Sequence, residues 1–63
     1  MNKDYLNAYL DNNPFIIDYK VLNTGWNTIY ILYVADSSIL EYLNNNSFPV
    51  VYADTDSIIM VKF

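Results

Sequence analysis

The chain contains no cysteine and no histidine, and those two absences do most to limit its chemistry. Without cysteine there are no disulfides, no thiolate metal sites and no cysteine nucleophile. Without histidine the commonest general base and the commonest metal ligand are gone, so carboxylates, tyrosines and three lysines remain. Catalysis therefore starts from a poor inventory, and the expectation is a protein that is not an enzyme and needs no cofactor. No run approaches the ~20 apolar residues that cross a bilayer, which predicts a protein with no membrane association. Met1-Asn2-Lys3-Asp4-Tyr5 lacks the basic-then-apolar grammar of a signal peptide, so a cytoplasmic location is expected, the host cytoplasm if the chain is viral. Basic residues are scarce: seven acidic against three basic side chains give a net charge of −4. Such a charge opposes direct nucleic-acid binding and favours basic partner surfaces, including those that normally hold nucleic acid.

What is present, within 63 residues, is nearly the same statement made twice. Tyr9-Leu10-Asp11-Asn12-Asn13-Pro14-Phe15-Ile16-Ile17-Asp18-Tyr19 lies over Tyr42-Leu43-Asn44-Asn45-Asn46-Ser47-Phe48-Pro49-Val50-Val51-Tyr52 without a gap. Further on, Thr28-Ile29-Tyr30-Ile31-Leu32 falls over Ser57-Ile58-Ile59-Met60-Val61. A repeat of this kind constrains architecture before any motif is considered. It predicts one domain over 1–63, built of one unit over 1–34 and a second over 35–63. A chain so short rarely draws more than roughly 3–5 kcal/mol from a single core, so additional burial is expected.

Leu6, Tyr9 and Leu10 recur at helical spacing behind Asn2, a candidate cap, and Asn12-Asn13-Pro14 ends that helix. Phe15, Ile17, Tyr19 and Val21 then alternate with Ile16, Asp18, Lys20 and Leu22 as in a strand. A turn around Gly25 leads to a second strand over 26–34. In the second unit Ser38 and Glu41 have capping-box spacing, and Ile39, Tyr42 and Leu43 take the helical places of Leu6, Tyr9 and Leu10. Strands over 48–53 and 57–63 follow, joined by Asp54-Thr55-Asp56. The expected fold is a two-layer α/β arrangement of the α+β class: an internally duplicated αββαββ with two helices on one face of a four-stranded antiparallel sheet.

Alternation assigns Tyr30, Leu32, Val34, Ile59, Val61 and Phe63 to the helix side. The opposite face receives Ile16, Leu22, Ile29, Ile31, Tyr33, Val51, Ile58 and Met60, wetted only by Asp18, Lys20 and Lys62. So apolar a face predicts a homodimer with Ile29, Ile31, Tyr33, Ile58 and Met60 at its centre, a heterologous protein partner being the other occupant. Tyr9, Tyr19, Tyr42 and Tyr52, matched between units, read as core packing with hydroxyls at the edge. Tyr5 breaks the repeat and is a candidate partner contact. Trp26 is either a partner anchor or an edge cap of the core. Leu40 and Glu41 point away from the second helix's apolar stripe and suit partner contact or a solvated face; Asp36, one turn earlier, reads as a helix cap or as a further partner contact.

Tyr52-Ala53-Asp54-Thr55-Asp56-Ser57 resembles the Tyr-x-Asp-Thr-Asp-Ser signature of family B DNA polymerases, in which the aspartates help hold catalytic Mg²⁺. That resemblance implies Asp54 and Asp56 as metal-site carboxylates in a palm-like fragment. The residues themselves read in the first place as a tight turn, because Asp, Thr and Ser satisfy local backbone groups and the repeat requires a turn there, with a metal site at Asp54 and Asp56 as the alternative only. A second resemblance, carried by Lys3-Asp4-Tyr5-Leu6-Asn7-Ala8-Tyr9 and by Tyr52-Ala53-Asp54-Thr55-Asp56-Ser57-Ile58-Ile59, is to the small dimeric phage-encoded uracil-DNA glycosylase inhibitors. It implies a dimer that mimics DNA and plugs the enzyme's DNA cleft, with Leu40 and Glu41 as the contact pair on the second helix. The functional expectation is a phage-type inhibitor of a nucleic-acid-handling enzyme, with partner contacts at Asp36, Leu40, Glu41, Tyr5 and Trp26. A metal-binding fragment and a plain dimeric adaptor are the alternatives.

Overall fold

Residues 3–54 and 57–63 are described by a computed structural model; the candidate cap Asn2 and the turn residues Thr55 and Asp56 lie outside them. The order is α1 (Lys3–Asp11), β1 (Ile16–Asn23), β2 (Thr28–Val34), α2 (Ser38–Asn45), β3 (Val50–Ala53) and β4 (Ile58–Lys62). The strands form one antiparallel sheet in the order β1-β2-β4-β3. None of the described helices is long and apolar enough to cross a membrane.

The helices are short, so their ends matter as much as their faces. In α1, Leu6 and Leu10 stand one turn apart and are both buried. Pro14 cannot continue a helix, and Asn13 Oδ1 accepts the Phe15 N–H at 2.8 Å to turn the chain toward β1. At the end of α2 the Ser47 N–H bonds the Asn44 carbonyl at 3.1 Å and the Phe48 N–H bonds the Leu43 carbonyl at 2.9 Å. That pair is a Schellman stop, closed by the accompanying burial of Leu43 and Phe48. It places Ser47 at φ 60, where glycine is the usual occupant. The expected capping box does not form. Ser38 is already helical, and the Ser37 side chain makes no cap bond. Instead Asp36 Oδ1 accepts the Ser38 N–H at 2.8 Å, so a carboxylate satisfies the helix start.

One layer of side chains joins helices to sheet. Leu6 and Leu10, Ile39 and Leu43, Tyr30, Leu32 and Val34, Ile59 and Val61 and Phe48 form a single buried cluster, with Phe63 packed against it. Its members from β2 and β4, with Phe63, are the positions that alternation assigns to the helix side. The Tyr30 hydroxyl, within that layer, donates to Asn7 Oδ1, and among the described residues no buried side-chain nitrogen or oxygen lacks a partner.

The central pair of strands is in register with Ile31 opposite Met60, Tyr30 opposite Val61 and Leu32 opposite Ile59. Both edge strands slip. In β1 the register shifts between Ile16 and Asp18, and in β3 between Val50 and Tyr52. A residue inserted into an alternating strand reverses the faces on one side of it. Ile16 therefore faces buried Val34 on the helix side instead of joining the open face, and Ile17, the extra residue, is 70% exposed. Val51 is the extra residue of β3, and beyond it Tyr52 lies opposite Met60, 51% exposed. Tyr52 is thus an open-face residue, not a core tyrosine.

Leu32 is fully buried whereas Trp26 is 95% exposed. Leu32→Ala should cost about 2–5 kcal/mol, comparable to the entire stability of so small a core, and urea unfolding should show the loss directly. Trp26→Ala should shift the same curve by less than about 0.5 kcal/mol. Ser47→Gly should stabilise by roughly 0.5–1 kcal/mol, since the left-handed conformation carries no Cβ penalty for glycine; a lower denaturation midpoint in that variant would contradict the helix stop described above.

Candidate functional site

The helix layer carries most of the acidic charge. Asp4 and Asp11 lie on α1, Asp36 at the start of α2 and Glu41 within it, and Lys3 is the one lysine among these elements. The Lys3 ammonium donates to Thr28 Oγ1 at 3.3 Å, at the start of β2. The open sheet face is composed oppositely: Asp18 opposite Tyr33, Lys20 opposite Ile31 and Lys62 opposite Ile29 bring two cations and one anion. Charge is therefore segregated between the two sides of a molecule whose net charge is −4.

Between the helices runs a row of tyrosines. Tyr9 of α1 and Tyr42 of α2 stack with ring centroids 3.7 Å apart and planes 3° from parallel. The Tyr42 hydroxyl is hydrogen-bonded to Tyr5, which with burial holds its pKa up at about 12. Burial also raises Tyr9. Tyr19 donates to Asp11 Oδ1 at 2.6 Å, and this bond is the main reason its pKa is raised. Tyr5 is 55% exposed, so the row opens to the surface at that end, beside the carboxylates of α1. The matched spacing of Tyr9 and Tyr42 marks them as a pair, but only the packing of α1 beside α2 makes them stack on each other.

The proposed contacts are not gathered in one place. Tyr5, Asp36 and Glu41 belong to the helix layer, and Glu41 is exposed. Asp36 is partly occupied as the helix cap. Leu40 is half-buried and packs against the core, so it is not the free apolar anchor that its place off the stripe suggests. Trp26 stands next to Gly25, which turns the chain at φ 83, at the tip of the β1–β2 hairpin. Its near-complete exposure excludes the edge-cap role. Ile29, Ile31, Tyr33, Ile58 and Met60 come together on the open face, each half-buried by its neighbours in the sheet. At one end of that face Ile17, Asp18, Lys20, Tyr33, Val34 and Ser57 line a shallow hollow of about 510 Å³, where the Lys20 ammonium stands 5.9 Å from the Tyr33 ring centroid.

Asp54 is exposed beyond the end of β3, and its N–H bonds the Ile58 carbonyl at 2.8 Å, closing the β3–β4 hairpin. Asp56, its partner in the polymerase-like signature, lies outside the described residues. Among the described residues no group of three or more acidic side chains is placed to hold a metal ion.

The tyrosine row has a titration signature. Tyr42 has a folded pKa near 12 against an ordinary value of 10.0, so its contribution to stability is complete below pH 10 and is lost as pH rises toward 12. Spectrophotometric titration of tyrosinate should show a late transition that is absent in Tyr42→Phe and moves to lower pH in Tyr5→Phe; an unchanged late transition in both variants would remove the Tyr5–Tyr42 bond from the account. Comparison with protein-family models, with curated proteins and with solved structures finds no match to this chain.

Proposed function

We propose that this chain is a small acidic binding protein that acts as an inhibitor: its helix layer stands in for a DNA backbone and occupies the basic cleft of a nucleic-acid-handling enzyme. The observation that supports this reading is the segregation of charge. Carboxylates at Asp4, Asp11, Asp36 and Glu41 share one layer with one lysine. A basic cleft shaped for phosphates meets such a layer with favourable long-range attraction, which raises the association rate. Tyr5 offers an amphipathic ring at the edge of the same layer, the kind of side chain that supplies contact area at interfaces with few rotors to freeze. Inhibition by occupation asks for no general base, nucleophile or cofactor, which suits a chain without histidine or cysteine. Uracil-DNA glycosylase is the target that the sequence resemblance names.

The test is displacement of fluorescent DNA from a bacterial uracil-DNA glycosylase by the purified chain. Inhibition should be competitive with DNA, and association should slow as salt rises, because steering by exposed charges is screened over roughly 8–10 Å at physiological ionic strength. Glu41→Gln should weaken inhibition mainly through a slower association rate, and Tyr5→Ala should speed dissociation by about tenfold, or roughly 1.4 kcal/mol. Absence of competition with DNA at micromolar concentration would discard this target.

A further inference from the structure

The open sheet face has an apolar centre made of Ile29, Ile31, Tyr33, Ile58 and Met60, extended by Leu22 on β1 and Tyr52 on β3. A sheet can meet a second copy edge to edge or face to face. Edge pairing is opposed here, because both edge strands are bulged and Pro49 precedes the short β3. The face is large enough for stacking: the molecule measures 30 × 21 × 21 Å, so one side offers a footprint on the order of 600 Å², near the ~800 Å² that a standard interface takes from each partner.

The charges on this face are arranged for self-recognition. Asp18 stands on β1 opposite Tyr33, and Lys62 stands on β4 opposite Ile29. Strands β1 and β4 flank β2 on either side, and Tyr33 and Ile29 flank Ile31 along β2. Asp18 and Lys62 therefore lie at equal distances on opposite sides of Ile31, each about 4.8 Å across the sheet and 6.8 Å along it. A twofold axis in the interface, passing through Ile31 at right angles to the Asp18–Lys62 line, lays each Asp18 over the Lys62 of the other copy. Ile31 then meets Ile31. This is the reciprocal contact that an isologous interface requires.

We propose that two copies of this chain stack through their open sheet faces about a twofold axis at Ile31, with Asp18 of each copy paired to Lys62 of the other. Lys20 stands beside Ile31 on the edge strand β1, with its ammonium 5.9 Å from the Tyr33 ring centroid. The acidic helix layers point away from each other, so the like charge of the two copies is held apart by the thickness of both sheets. The dimer is independent of the inhibitory reading: either can fail without the other.

The test is sedimentation equilibrium of the full chain over a concentration series, with circular dichroism as the check on folding. The wild type should have twice the chain mass at micromolar concentration. Asp18→Lys and Lys62→Asp move the net charge in opposite directions, yet each should weaken the dimer about tenfold or more, because each sets like charges against each other. The double variant Asp18→Lys/Lys62→Asp should return to within about threefold of the wild type. Should a reversed-charge chain fail to fold, Asp18→Asn and Lys62→Gln should each weaken the dimer by a smaller factor. A monomeric wild type, single variants of unchanged affinity, or a double variant as weak as the singles would each overturn the proposal.

Discussion

Two helices of eight or nine residues can shield only one side of a four-stranded sheet, and the rest of this structure depends on that limit. On the shielded side Leu6, Leu10, Ile39 and Leu43 descend onto β2 and β4, and the chain draws nearly all its burial from this layer. The sheet is nonetheless apolar on both sides, because its two central strands are built of Ile, Tyr, Leu, Val and Met with almost no polar alternation. A strand of that composition matches a sheet buried on both faces. The architecture thus has one face covered by helices and one apolar face left open.

The edges of the sheet are handled differently from its face. A bulge in each edge strand turns the local backbone and interrupts the row of donors and acceptors that another strand would need. The same bulges redistribute side chains. They send Ile16 into the core, expose Ile17, and move Tyr52 onto the open face beside Met60. One local irregularity in each edge strand therefore protects that edge and reshapes a surface together.

Electrostatics follows the same two-sided plan. The helix layer carries four carboxylates and one lysine, and the open face carries two lysines and one carboxylate. Tyrosines bind the acidic layer together: Tyr9 stacks on Tyr42, Tyr42 bonds Tyr5, and Tyr19 reaches Asp11. Tyr9, Tyr19 and Tyr42 are each favoured in the protonated form, so their hydrogen bonds persist throughout the neutral range.

Element order, helix positions and the inward set on β2 and β4 were legible in the sequence, since they rest on periodicities of 3.6 and 2 within unbroken runs. The uncovered face was legible too, as a matter of counting: two short helices, four strands and too few polar residues. The sequence could not reveal where an edge strand would slip, because Ile16-Ile17 and Val50-Val51 are apolar pairs that fit either face equally well. Their register is chosen by the strands they pair with. Asp36 was legible as a cap of α2, but the sequence also offered a capping box at Ser38 and Glu41 and could not show that it would fail, or that Leu40 is drawn against the core, since helix phase at a terminus depends on how the whole element docks. Composition and spacing determined which residues could form layers; pairing across strands and packing between helices decided which side chains meet.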